Sequence, residues 1–263
     1  MRDKNTSVDV GPKGLRHWFR TPIGEVYRHA ESMILSAVLR ENFRKEVLQI
    51  DLIGWEGEFH EAMRFAHYTI LDADAPEESE YARVTGTPDE IPIDTHSIDI
   101  VILPHTLEFE SDPHQVLREV NRVLKPEGIV LLLGFNPWAF WHIPRFFPKA
   151  KERTPWHGRF ISRYRVVDWL KLLNIEIEVS KGFCLLPIVK SSPDNKVKSL
   201  LGKAMAWLPF LSAAYFIMGV KRTTKGTPAF HLNDLKERFI SPLSNPEPAK
   251  KSLHEKGKHA NLH

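Results

Sequence analysis

The stretch Ile98 to Leu133 constrains the fold more than any other part of the chain. Ile98-Asp99-Ile100-Val101-Ile102-Leu103 is apolar and β-branched with a single charge, the composition of a strand covered on both faces. Pro104 ends it. Asp112 is placed to cap a helix, with Pro113 at the first helical position. Along that helix Val116, Leu117, Val120, Val123 and Leu124 recur on one face. Lys125-Pro126-Glu127-Gly128 stops it, and Ile129 to Leu133 is a second apolar run, closed by Gly134. Two buried strands joined through an amphipathic helix form a unit whose strands run parallel, and such sheets need helices on both faces.

The alternation continues on either side. Apolar residues at Met33, Ile34, Ala37, Val38 and Phe43 predict a helix within Glu25 to Val47. Val47 to Ile53 reads as a first strand, Glu56 to Phe65 as a short helix, and Tyr68 to Leu71 as a second strand ending in Asp72-Ala73-Asp74. Tyr81 to Thr85 is a short strand before the turn Gly86-Thr87-Pro88-Asp89. After an aromatic and basic connection, Phe135 to Arg159, come a helix over Tyr164 to Leu173 and strands over Ile175 to Val179 and Ala214 to Lys221. The fold class is α/β. In open sheets of this kind, ligands bind at the carboxyl ends of the strands.

Charge separates the body from the tail. The net charge is +3, too small to require a nucleic-acid partner. From Lys221 to His263, however, there are 9 Lys/Arg and 4 Asp/Glu. A basic tail on a near-neutral body marks a place for contact with RNA or a membrane surface, with a solvated tail as the plainer reading. Few aromatics follow Thr223, so residues 223–263 are expected to be disordered. One cysteine, Cys184, excludes an internal disulfide. Met1 to Lys13 is polar without an apolar core, so no signal peptide is expected and the localisation read is cytoplasmic. Ala204 to Val220 lacks charges, but Pro209 and Ser212 interrupt it, and a helix followed by a buried strand fits better than a membrane span. Of the 13 histidines, His254, His259 and His263 lie in the tail expected to be disordered, and no metal is assigned.

The segment Ile91 to Trp141, IPIDTHSIDIVILPHTLEFESDPHQVLREVNRVLKPEGIVLLLGFNPWAFW, resembles the type 11 class of the class I S-adenosylmethionine (SAM)-dependent methyltransferases. Ile91-Pro92-Ile93 stands for that class's Leu-Pro-Phe turn and Ile98-Asp99-Ile100-Val101 for its acidic-hydrophobic strand. Leu117 to Gly128 stands for its LREVxRVLKPGG segment, with Glu127 where Gly is usual. The LPHTLEF and GFNPW motifs, with Trp18 and Thr21-Pro22-Ile23-Gly24, resemble an uncharacterised bacterial branch of the class. The resemblance covers about residues 18–222 and leaves 1–17 as a flexible N-terminus. It implies a Rossmann-like seven-stranded sheet, mostly parallel with an antiparallel last strand. It also implies SAM as cofactor and methyl transfer to an unidentified, small-molecule acceptor.

The resemblance carries expectations for single residues. The class has an acidic residue and a G-x-G-x-G loop after the first strand, where glycines let the backbone close on the cofactor. Here only Gly54 and Gly57 remain; Gln49 or Asp51 takes the acidic position, and bulky Ile53 and Trp55 stand beside Gly54. Asp72, or alternatively Asp74, matches the acid that holds the ribose hydroxyls, since a carboxylate accepts two hydrogen bonds at once. Thr87 and Pro88 match the adenine position, and Leu103 and Pro104 line the same edge. His105 follows the strand-ending proline and is the general-base candidate, with Glu108 to orient it or the substrate. Asn136 is placed to present its amide to an acceptor. The altered loop supports a rival reading, a methyltransferase fold retained for binding or regulation after loss of catalysis.

Overall fold

The computed structural model describes residues 11–40, 46–60, 67–73, 81–138, 158–183 and 212–222. All lie in the first of two units, Met1–Thr227. Asp74, Cys184, the connection from residue 139 to 157, the helix expected before Ser212 and the tail 223–263 lie outside the described residues.

The elements run α1 (Pro12–Trp18), α2 (Pro22–Leu39), β1 (Glu46–Ile50), α3 (Gly57–His60), β2 (His67–Leu71), β3 (Ala82–Val84), β4 (Ile98–Pro104), α4 (Pro113–Val123), β5 (Leu124–Phe135), α5 (Arg163–Leu172), β6 (Ile175–Phe183) and β7 (Ala214–Lys221). The strands form one seven-stranded sheet in the order β3-β2-β1-β4-β5-β7-β6. Pairings from β3 through β5 are parallel, whereas β7 runs antiparallel to both β5 and β6. This is the mostly parallel sheet with an antiparallel last strand that the resemblance implied. The order reverses between β1 and β4, which puts the switch point at the carboxyl ends of those two strands.

The central unit forms as its residues dictate. Asp112 caps α4 by accepting from the amides of His114 and Gln115 at 3.1 Å each. Val116, Leu117, Val120 and Val123 then face the sheet and are completely buried. They pack with Val101 and Leu103 of β4, Val130 and Leu132 of β5, and Val166 and Leu170 of α5 in one core. Glu127 adopts φ 61°, so the position where the class prefers glycine is a left-handed one here too, held by a residue that pays a steric cost there. Strand β5 runs through Lys125–Gly128 instead of starting after it.

Boundaries toward the start of the chain also differ from the sequence reading. Helix α2 begins at Pro22, because Thr21 caps it through the Gly24 amide at 3.1 Å. Strand β1 stops at Ile50 because Asp51 turns to φ 67°. Residues 12–17, read as part of a flexible terminus, form α1 together with Trp18, anchored by buried Leu15 and Trp18. Gly24 is what lets α1 sit so close to α2: a methyl group at its Cα would strike the Trp18 carbonyl.

Candidate active site at the carboxyl edge of the sheet

The carboxyl ends of β1, β2 and β4 collect most of the candidates the sequence singled out. Gln49 lies in β1 and is fully buried. Asp51 follows β1, Asp72 follows β2, and Thr87 and Pro88 form a turn beyond β3. Leu103 and Pro104 end β4, and His105 and Glu108 come directly after it. Ile53 is buried, and Gly54 takes a left-handed φ of 83°.

The loop after β1 is rebuilt around one carboxylate that the sequence reading missed. Glu56 Oε1 accepts from the Ile53 amide at 2.6 Å and the Gly54 amide at 3.1 Å, and Oε2 accepts from the Gly54 amide at 3.0 Å. Gln49 Nε2 donates to the same Oε1 at 3.0 Å, and Tyr68 OH donates to Gln49 Oε1 at 2.5 Å. Gln49, near the end of β1, is thereby hydrogen-bonded to a carboxylate that stands just before α3. Asp51 and Gly54 provide the two left-handed turns that curl the loop. Burial pushes the Asp51 carboxyl up to about 7, and the neighbouring charges of Glu110 and Asp72 add to it.

Helix α1 covers this loop. Arg16 Nη1 donates to the Leu52 carbonyl at 3.3 Å and lies 3.6 Å from Asp72 Oδ2. A methyl group on Gly54 would lie in ordinary van der Waals contact with its stem.

Beside the loop, at the ends of β4 and β5, His105 is buried with a carboxylate at each ring nitrogen. Glu31 of α2 is 3.0 Å from Nε2 and Glu108 is 3.4 Å from Nδ1. Glu108 Oε1 also accepts from the Phe135 amide at 2.7 Å. Phe135 stacks on the imidazole with ring centres 4.0 Å apart, and Phe19 lies between His105 and Trp55 at 5.8 and 5.7 Å. Burial alone would lower the His105 pKa. The Glu31 charge, the hydrogen bonds to Glu108 and Glu31, and the Glu108 charge outweigh it and push the imidazole up to about 10. Burial raises the Glu31 pKa, partly offset by His105. The two carboxylates meet different sides of the ring instead of converging on one point, and no described cluster has the arrangement of a metal site.

A pH dependence follows from this pairing. Between about 6.5 and 10 the folded chain holds a proton at His105 that the unfolded chain has released, so stability falls as pH rises through that interval. The melting temperature is expected to drop from pH 6.5 to 10 and the drop to flatten in Glu31→Gln. A wild-type melting temperature constant across that range would show that His105 is not held as a cation.

Asn136, expected to offer its amide to an acceptor, has both polar atoms engaged. Nδ2 donates to the Ser212 carbonyl at 2.7 Å, and Oδ1 accepts from the Trp138 amide at 3.1 Å. It borders a shallow cleft with Tyr164 and Tyr215, beside exposed Trp138.

Residues 53–132 match the family model described as a methyltransferase domain. Over 226 residues the chain is 30% identical to the Escherichia coli K12 protein YafS, itself uncharacterised, covering 86% of this chain and 87% of that one. The chain belongs to the family of YafS, and a methyltransferase domain lies within it. The chain is also 31% identical over 125 residues to the demethylmenaquinone methyltransferase of Chlamydia pneumoniae, covering 45% of its own length and 54% of the relative's. Its fold is shared with a Haloferax volcanii methyltransferase solved in complex with the Trm112 activator, at a TM-score of 0.53 and 15% identity, over 82% of this chain and 95% of that one. The match to the domain model begins at Ile53, so Arg16, Glu31 and Gln49 lie outside it.

Proposed function

We propose that the protein is a SAM-dependent methyltransferase acting on a small-molecule acceptor, with the cofactor held at the carboxyl edge of β1, β2 and β4. The observation that carries this reading is the loop from Asp51 to Gly54. It lacks the usual glycines, yet it keeps two left-handed residues and has its amides gathered by a carboxylate. The residues fit the group in a second respect. Two buried polar atoms on this edge, Trp55 Nε1 and Glu31 Oε2, have no hydrogen-bond partner among the described residues. Buried polar atoms are nearly always paired, and a ligand carrying both acceptors and positive charge would satisfy them.

In this reading Asp72 holds the ribose hydroxyls, the turn at Thr87 and Pro88 lies against the base, and Gln49, Asp51, Ile53 and Gly54 shape the methionine end. Leu103 and Pro104 form the floor between them. When bound, SAM supplies an activated methyl group on a sulfonium, and the chain's task is alignment in a dry site. His105, Glu31 and Glu108 work as one proton-holding unit, because a ring with an acceptor at each nitrogen is a cation at neutral pH. The general-base role assigned to His105 therefore passes to the carboxylates around it. The quinone-type acceptor in the name of the Chlamydia relative makes an aromatic hydroxyl compound the first class to screen.

Calorimetry with SAM and S-adenosylhomocysteine on the purified full chain tests the reading. Binding in the micromolar range is expected. No binding of either up to millimolar concentration would move the protein to the non-catalytic reading, with Ile53 and Trp55 closing the site.

A further inference from the structure

Glu31 stands apart from the other residues of this edge. It comes from α2, outside the matched domain, and is completely buried. One of its oxygens faces His105 Nε2 at 3.0 Å, and the other has no hydrogen-bond partner among the described residues. Glu108, by contrast, is tied down by the Phe135 amide as well as by the ring.

The charge of the trio does not depend on where its proton lies. Two carboxylates and one imidazole sharing one proton beyond the neutral ring's own carry a net charge of −1. The nearest basic group along α2, Arg28, is engaged with Glu58 of α3 at 2.8 Å. The unbalanced charge is buried directly after β4. The next residue, Thr106, hydrogen-bonds the Ile50 carbonyl at 3.1 Å, which keeps the trio beside the turn at the end of β1. A buried charge without a counter-ion is costly, and a ligand cation in that place is the arrangement that removes the cost.

We propose that Glu31 is a specificity-determining residue of the cofactor site: its free carboxylate oxygen makes the site select a ligand with a positive charge at the sulfur position over one that is neutral there. This rests on the cofactor reading above. It means that the site distinguishes SAM, a sulfonium, from S-adenosylhomocysteine, a neutral thioether. The spent cofactor is then released because it has lost the charge that Glu31 attracts. His105 is a positioning residue: its charge favours the ionised form of Glu31 and its Nε2 orients it, while Glu108 and the Phe135 amide hold the ring in place.

Three probes on the full chain separate the outcomes: SAM, S-adenosylhomocysteine, and sinefungin, which carries an ammonium in place of the methylsulfonium. Wild type is expected to bind SAM and sinefungin at least about tenfold more tightly than S-adenosylhomocysteine, the scale of one charge pair in a partly shielded site. Glu31→Gln, which keeps the shape, brings the three within about twofold of one another, and Glu31→Asp keeps the preference. Equal affinities for sinefungin and S-adenosylhomocysteine in wild type overturn the charge role, a result that needs no variant to fold. So does a Glu31→Gln protein that weakens all three equally, which is the signature of a structural role. In both cases the cofactor reading stands. If wild type binds none of the three, the cofactor reading falls and the role of Glu31 falls with it.

Discussion

Glu56→Ala is expected to destabilise the protein by about 4 kcal/mol, lowering the melting temperature by roughly 12 °C for a domain of this size. Glu56 is 3% exposed, and its carboxylate takes hydrogen bonds from Gln49 Nε2 and from the amides of Ile53 and Gly54. Removing it leaves three donors facing apolar surroundings that include Trp55 and Phe59. Each stranded donor costs about 1–3 kcal/mol, and water entering the gap recovers part of that. Glu56→Gln tests the charge separately. It keeps one acceptor but turns an amide nitrogen toward donors, so about half the loss is expected. The pair Gln49→Glu with Glu56→Gln returns the charge to the end of β1, where the wider class has it. That double variant is expected to be more stable than Glu56→Gln alone, and a double-mutant cycle of melting temperatures measures the coupling. Additive effects would mean that Gln49 and Glu56 do not act as one unit.

That example shows where the sequence was legible. The unit β4-α4-β5 could be read residue by residue because burial on both faces leaves an unbroken apolar run, and Asp112-Pro113 marks the helix start chemically. The edge residues Asp72, Thr87, Pro104 and His105 were legible for a related reason: each sits directly after a strand or a turn that the pattern locates. Glu56 and Glu31 were not. Each is an acid on a short or amphipathic segment, where a charged residue normally means a solvated face. Only the tertiary packing reveals that the two carboxylates meet Gln49 and His105, 7 and 74 positions away along the chain. Helix α1 was illegible because Lys13, Arg16 and His17 dominate its seven residues. Its fold depends on Leu15 and Trp18 finding a surface provided by Gly24, a contact no local pattern encodes.

Asp72→Asn is expected to weaken SAM binding by ten- to a hundredfold without a comparable loss of stability. A carboxylate accepts from both hydroxyls of a ribose, whereas the amide offers one acceptor and no charge. A hydrogen bond to a charged group contributes about 1.5–3 kcal/mol, which converts to that range of affinity. Arg16 complicates the site in a way that sharpens the test. Its guanidinium stands 3.6 Å from Asp72 with both side chains mostly covered. A bound ribose and Arg16 therefore compete for one carboxylate. Arg16→Gln removes the competitor and is expected to tighten SAM binding by less than about fivefold, since an ion pair near the surface contributes at most about 1 kcal/mol. In the Asp72→Asn background the same change is expected to do nothing, because there is no carboxylate left to release. Calorimetry on the four proteins decides the matter. If Asp72→Asn binds SAM as wild type does, the ribose is not held at the end of β2. If Arg16→Gln weakens binding in both backgrounds, the guanidinium is itself a contact for the cofactor, and α1 is part of the binding site instead of an obstacle to it.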